Sequence, residues 1–360
     1  MSSEVSTLSR LARNRALNGA PLVSSILDVV DEHVENSHNR ELNEEKLLTE
    51  VKQSLTGFAF LQPFLDDESI EEIWINQPGE ICFARQGVHF REELAFTREE
   101  LQTQLERMIR ESGRRLDRSS PFIDAQLGVG YRLHAVIPDV TRNHLSLNIR
   151  KFTKDVLTMP NLQERGVVTV EQANFLIQHL KNGSNVLISG ATQAGKTTLL
   201  SALLSSLAPI ERVISVEDTF ELRCLLPDWV AMQTRPPTTD GKFEVDLRRL
   251  VRESLRMRPT RLVVGEVRGA EALDMLIAMN SGIPAMCTIH ANSADEALTK
   301  IKTLPLLAGG NISSRFLESL IGGSLELLVH CERATDGTRR ISSVKRIVPG
   351  DPLTLEEVLF

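Results

Sequence analysis

The chain has 360 residues, 41% apolar and 25% charged, which is long enough for two domains with real cores and excludes a disordered or fibrous polypeptide. A formal charge of -7 disfavours a broad nucleic-acid surface and leaves room only for a local basic groove. Cys82, Cys224, Cys287 and Cys331 stand far apart with no C-x-x-C pair, which argues against a zinc ribbon or a disulfide framework and for a reducing compartment.

No apolar stretch approaches the roughly 18 residues of a spanning helix, and the N-terminus lacks the apolar core of a signal peptide. The expectation is a cytoplasmic protein without direct membrane insertion, meeting any membrane through partners. Residues 1–20 are small, polar and unpatterned and are expected to be flexible. Leu22, Val23, Ile26, Leu27, Val30 and Val34 recur at helical spacing, and Leu47, Leu48, Val51 and Leu55 repeat the pattern. Residues 1–56 therefore read as a flexible N-terminus with a helical appendage.

Over 57–152 the texture changes to short runs, "IEEIWIN", "EICFAR", "YRLHAVIP" and "LSLNIRKF", with one helical segment near 97–112. That is a small α+β domain. Residues 153–168 read as a linker, after which Thr169 and Gln172 form a capping box for a helix ending near "KNG". From there to 349, short apolar strands alternate with helices: "NVLIS", the helix from Lys196, "RVISV", the helix in "DLRRLVRESLRM", "RLVVG", the helix in "EALDMLIAM", and "AMCTIH". The alternation predicts an α/β fold with a mostly parallel sheet and ligands outside the carboxyl ends of its strands. Residues 350–360 read as a short tail.

The stretch "GATQAGKTT" fits G-x-x-x-x-G-K-[ST] between an apolar strand and a helix. Its members Gly190, Ala191, Thr192, Gln193, Ala194, Gly195, Lys196, Thr197 and Thr198 are the candidate nucleotide-binding residues. Gly190 and Gly195 let backbone N–H groups turn toward phosphates, and the helix N-terminus adds positive potential. Lys196 suits the β and γ phosphates, and the Thr197 hydroxyl suits Mg²⁺.

Glu217 and Glu266 each stand at a strand end. A lone glutamate there is usually a solvated cap. Two on the sheet that carries a phosphate loop point instead to one carboxylate near the Mg²⁺ shell and one that orients or deprotonates water, without saying which is the base. Arg248, Arg252 and Arg256 align at four-residue spacing opposite Leu247, Leu250, Val251 and Ser254, either as a solvated face or as a subunit or nucleotide contact, while the absence of interleaved aromatics disfavours a nucleic-acid contact. Arg114, Arg115, Arg132 and Arg150, spread around the short strands of the earlier domain, read as surface residues by pattern alone. His290 reads alone as a core or capping histidine, since no second His or Cys at ligand spacing supports a metal. If its strand follows that of Glu266 in a parallel sheet, it instead reaches the phosphate edge as a neutral or switchable hydrogen-bond donor that senses the γ-phosphate.

"GATQAGKTT", "VEDTFEL", "LRMRPTRLVVGEVRGAEALDMLIAMNSG" and "TIHANSADEAL" together resemble the Walker A, Asp-box, Walker B and His-box segments of the type II/type IV secretion ATPase superfamily, in wording nearest the CpaF family of tight-adherence pilus ATPases. The resemblance extends over roughly residues 57–349. It implies a PAS-like N-terminal domain linked to a RecA-like P-loop ATPase domain, ATP and Mg²⁺ as cofactors, and a homo-hexamer. That hexamer would power pilus assembly or secretion through an inner-membrane platform protein, with ATP bound between the domains. A type IV secretion or conjugation ATPase is the nearest rival, and a nucleic-acid translocase a more distant one. Under the resemblance Lys196 and Thr197 hold phosphate and Mg²⁺, Glu217 is the catalytic carboxylate, Glu266 the Walker B acid, and Arg132 and Arg150 reach the nucleotide phosphates, with Arg115 and Arg235 as further candidates. Gln126 stands where the family usually has an arginine, and Ile283 where it often has a histidine.

Overall fold

The computed structural model describes residues 3–17, 22–36, 47–48, 51, 58–85, 87–112, 115–127, 130–152, 157–237 and 241–360. The chain divides into two compact units, Met1–Thr153 and Lys154–Phe360.

The first unit opens with helices α1 (Ser3–Leu17) and α2 (Leu22–Asn36). Residues 3–17, expected to be flexible, are thus helical. The reason is the spacing of Val5, Leu8 and Ala12, which puts all three on one face, buried against Ile26, Val29 and Val30. Leu47 and Val51 join this core, while Leu55 lies outside the described residues.

Next come α3 (Gln62–Asp66), β1 (Ile70–Ile75), β2 (Glu80–Arg85), β3 (Val88–Glu93), α4 (Arg98–Ser112), β4 (Phe122–Leu127), β5 (Tyr131–Val136) and β6 (Ser146–Lys151). The strands form one antiparallel sheet ordered β3-β2-β1-β6-β5-β4. Alternate residues Ile73, Leu133 and Ile149 bury one face in a core shared with Leu101, Leu105 and Met108 of α4. The other face is polar, and across it Gln126, Arg132, Arg150 and Glu72 stand as successive cross-strand partners.

The second unit contains α5 (Met159–Glu164), α6 (Val170–Lys181), β7 (Val186–Gly190), α7 (Lys196–Leu204), β8 (Val213–Glu217), β9 (Trp229–Gln233), α8 (Leu247–Ser254), β10 (Arg261–Val267), α9 (Glu271–Asn280), β11 (Ala285–His290), α10 (Ala294–Thr303), α11 (Ser314–Ser324), β12 (Leu327–Arg333), β13 (Arg339–Val348) and β14 (Thr354–Glu357). The sheet order is β14-β13-β12-β7-β11-β10-β8-β9, parallel from β12 to β9 and antiparallel at β13 and β14. Apolar strand residues are buried on both faces, as parallel strands require. One face packs against α5, α6 and α7, the other against α8 to α11. Because β7 lies between β11 and β12, the chain leaves it to one side and later returns on the other. A crevice at its carboxyl end is where such a fold takes a ligand. This is the RecA-like α/β architecture, preceded by a smaller α+β domain and a helical appendage.

Two boundaries differ from the sequence reading. Of the expected linker, residues 153–156 lie outside the described set, whereas Met159, Leu162 and Val168 are buried in the second unit's core. The expected tail supplies β14, buries Leu353 and sets the Phe360 ring 5.4 Å from that of Phe175. Apolar side chains decided both outcomes. Among the described residues no helix is long and apolar enough to cross a membrane.

Candidate active site

The loop Gly190–Thr198 joins the carboxyl end of the central strand β7 to the N-terminus of α7. Its first residue must be glycine, because a Cβ there would overlap the Cys331 carbonyl of β12 and stand 3.1 Å from Ala194 Cβ. The turn then passes through positive φ at Gln193 (62°) and Gly195 (92°), with the Ala194 N–H between them donating to the Ala191 carbonyl at 3.3 Å. Lys196 is buried. Its Nζ donates to the carbonyls of Gly190 (3.0 Å) and Ala191 (2.9 Å) and lies 3.2 Å from His290 Nδ1.

His290 pairs with Gly190 in the β11–β7 register, so strand alignment alone carries it to the loop. An ammonium only donates, so Nδ1 accepts and the ring proton sits on Nε2. Burial first, and then the Lys196 charge, holds the imidazole below its ordinary pKa and therefore neutral near pH 7. Nε2 stands 3.1 Å from Glu266 Oε1, within ion-pair reach but off the line of a hydrogen bond. Among the described residues that buried oxygen has no hydrogen-bond donor.

Glu266 occupies a bulge. The β10–β11 register slips between Val264 and Val267, and the Thr288 hydroxyl donates to the Gly265 carbonyl at 2.6 Å. Burial raises the Glu266 pKa, but Arg268 (Nη2 to Oε2, 2.7 Å) and Lys196 outweigh it and hold the carboxyl below its usual range. Gly265 is glycine because its Cβ would stand 2.8 Å from Glu217 Cγ. The second carboxylate therefore lies against the bulge that carries the first.

Glu217 is 2% exposed. Its Oε2 accepts from the Glu221 and Leu222 N–H groups, both at 2.8 Å, while Oε1 is buried without a hydrogen-bond donor among the described residues. Burial pushes this carboxyl up to about 7, against those two N–H groups. The pair is thus split by environment: Glu266 is ionised, and Glu217 is poised near neutrality.

The structure therefore joins the phosphate loop, His290 and Glu266 by direct contacts, and sets Glu217 against the bulge that carries Glu266. Arg235 lies at the same sheet edge, two residues beyond Gln233, which pairs with Glu217, and its Nε donates to the Phe243 carbonyl at 2.8 Å. Arg115, Arg132 and Arg150 belong to the first unit, where Arg115 is exposed and Arg132 faces Arg150 directly across β5 and β6. Gln126 is the next cross-strand partner of Arg132, so the row carries an amide where the resemblance led one to expect a further cation. Of the helical arginines, Arg248 and Arg252 both bind Asp274 of α9, at 2.6 and 2.8 Å. They are tied within the unit.

Sequence reasoning missed Arg268, which also reaches Asp218 at 3.3 Å, and Lys300, whose Nζ donates to the His290 carbonyl at 2.9 Å. The only sequence signal for Arg268 was its position two residues after Glu266. Among the described residues no cluster of three or more His, Cys, Asp or Glu could cage a metal. Mg²⁺ is commonly held by one or two oxygens plus phosphates, and the orphaned Glu266 Oε1 with the Thr197 hydroxyl fits that mode.

Residues 54–345 match the family described as Type II/IV secretion system protein. The chain belongs to that family. Among relatives of this secretion-system protein, a Mycobacterium tuberculosis protein named for conjugal transfer is 34% identical over 302 residues, covering 82% of this chain and 85% of its own. The type IV secretion system protein PtlH of Bordetella pertussis is 33% identical over 309 residues, covering 78% and 91%. The solved pilus retraction motor PilT with bound ADP shares the fold, with a TM-score of 0.59 at 16% identity over 81% of this chain and 83% of its own.

Proposed function

We propose that this secretion-system protein is a Mg²⁺-dependent ATPase, converting ATP and water to ADP and phosphate. We propose further that it works as a homo-hexamer at the inner face of the cytoplasmic membrane through a platform protein. The observation that carries the catalytic part is the run of contacts from Lys196 of the phosphate loop through neutral His290 to ionised Glu266, with a second carboxylate of pKa near neutrality against the bulge that carries Glu266.

The loop N–H groups and Lys196 bind the phosphates, Lys196 exchanging its contacts with the Gly190 and Ala191 carbonyls for phosphate oxygens. Bound Mg²⁺ would offset phosphate charge, with Thr197 and, through water, Glu266 as its protein ligands. Glu217 orients the attacking water and takes its proton. A base titrating near the working pH combines a large ionised fraction with useful basicity. His290 donates from Nε2 toward the γ-phosphate and reports its presence to Lys300 and Glu266. Arg132 and Arg150, side by side, contact the nucleotide phosphates of a neighbouring active site. Arg115 and Arg235 are secondary phosphate contacts, Arg235 after release from Phe243.

Measured Mg²⁺-dependent hydrolysis should fall by at least about 100-fold in Glu217→Gln while ATP binding persists. Unchanged hydrolysis would remove Glu217 from the reaction. Mixing Lys196→Ala with Arg150→Ala protein should restore activity if Arg150 acts across a subunit boundary, and no restoration would count against that role.

Two machines compete. The wording of the motifs supports tight-adherence pilus assembly or retraction, whereas the names of the two relatives at 34% and 33% identity support conjugal transfer or type IV secretion. Deleting the gene separates them: loss of surface pilin with unchanged conjugation favours the first, and the reverse the second.

A further inference from the structure

The tip of the phosphate loop is held from outside. Arg333 Nη1 donates to the Gln193 side-chain Oε1 at 2.9 Å, and Arg339 Nε donates to the Gln193 backbone carbonyl, also at 2.9 Å. The donors come from the two strands of one hairpin, on either side of its turn. Arg333 closes β12, Arg339 opens β13, and the two are direct cross-strand partners. The turn between them is itself fixed, with Ala334 N donating to the Thr338 carbonyl at 2.8 Å.

Facing arginines repel across a strand pair, and an acceptor that both can reach offsets that cost. Gln193 supplies two, one from its side chain and one from its backbone. It is also the loop residue whose φ of 62° is uncommon for anything but glycine. The stem of Arg339 extends over the next turn, where a Cβ on Gly195 would stand 3.5 Å from Arg339 Cδ. The same hairpin presses the loop at its start, through the Cys331 carbonyl against Gly190. Both ends of the Gly190–Gly195 arc are thereby shaped by β12 and β13.

We propose that Arg333 and Arg339 are positioning residues that keep the phosphate loop in its nucleotide-receiving shape, and so set affinity for ATP and ADP alike. The proposal rests on reading this loop as the nucleotide site. These two hydrogen bonds go to the loop rather than to a reacting atom, so their contribution is the same in the ground and transition states. Uniform binding of that kind appears in KM and leaves kcat alone.

The test is titration of the full chain with fluorescent ATP and ADP analogues, together with steady-state kinetics, for Arg339→Gln, Arg339→Lys, Arg333→Gln, Gln193→Ala and the Arg333→Gln/Gln193→Ala pair, with Lys196→Ala as control. Arg339→Gln should raise Kd for both nucleotides and KM by about tenfold with kcat within about twofold, the loss expected for one charge-assisted hydrogen bond. Arg339→Lys, which keeps a donor for the carbonyl, should recover most of that loss. Arg333→Gln and Gln193→Ala break one shared contact, so the double variant should be no weaker than the worse single. Unchanged Kd, a fall in kcat at constant KM, a loss confined to ATP, or fully additive singles would each overturn the clamp. If the wild type bound neither analogue, or Lys196→Ala bound as tightly as wild type, the nucleotide reading itself would fall, which the Arg339 variants alone cannot bring about.

Discussion

Glu217 is where burial and chemistry oppose each other most directly. Its carboxyl is enclosed with one oxygen unpartnered among the described residues, and its pKa is raised from 4.5 to about 7. Ionisation therefore works against the fold. Since the folded value exceeds the unfolded one, this group's stabilising contribution is fully present below about pH 4.5 and is lost as pH rises through about 7, on the order of 3 kcal/mol in all. Hydrolysis should run the other way, with an acid limb centred near pH 7 that vanishes in the residual activity of Glu217→Gln; a limb near 4.5 would contradict the assignment. His290 offers a separate check: His290→Ala should keep ATP binding and basal turnover yet lose filament or secretion work, and unaffected assembly would return it to a packing role. The glutamates and His290 were visible in sequence because each ends an apolar run beside a turn. Arg268 was not, since it bridges Glu266 to Asp218, and only the pairing of β8 with β10 brings Asp218 near.

Strands and helices with their own apolar signature were legible: β7, β8, β10 and β11 are short, buried, mostly apolar runs, and the capping box at Thr169 and Gln172 forms as read, at 3.1 and 3.2 Å. What escaped were elements whose stability comes from neighbours. β14 is largely exposed and polar, and exists because it pairs with β13 and is anchored by Leu353. Removing residues 350–360 should thus cost about 2–5 kcal/mol, the usual loss for a large buried aliphatic side chain, measurable by denaturant unfolding. The bulge in β10 makes a sharper demand. Gly265→Ala forces a methyl against Glu217 Cγ, now 2.8 Å from where it would sit, and should cost about 1–3 kcal/mol while displacing the carboxylate. Loss of turnover with retained ATP binding and a lowered unfolding midpoint is the expected pattern.

At the scale of the whole chain, the alternation of strands and helices was enough to foresee a parallel sheet with its ligand edge at the strand carboxyl ends. It could not give the strand order, because adjacency there depends on partners far apart in sequence. β7 receives β11 and β12 on its two sides, bringing Gly190 beside His290 and Cys331, and Gln193 beside an arginine 140 residues away. The first unit, by contrast, closes its sheet within residues 70–151.

This arrangement bears on how the protein is made. At about 5–20 residues per second, the ribosome finishes the glycine-lysine loop many seconds before it delivers either strand that must flank it. The nascent loop has neither the carbonyl that excludes a side chain at Gly190 nor the arginines that settle Gln193. A stalled or truncated chain lacking β12 and β13 would carry every residue of the phosphate signature and still present no finished cradle for a nucleotide.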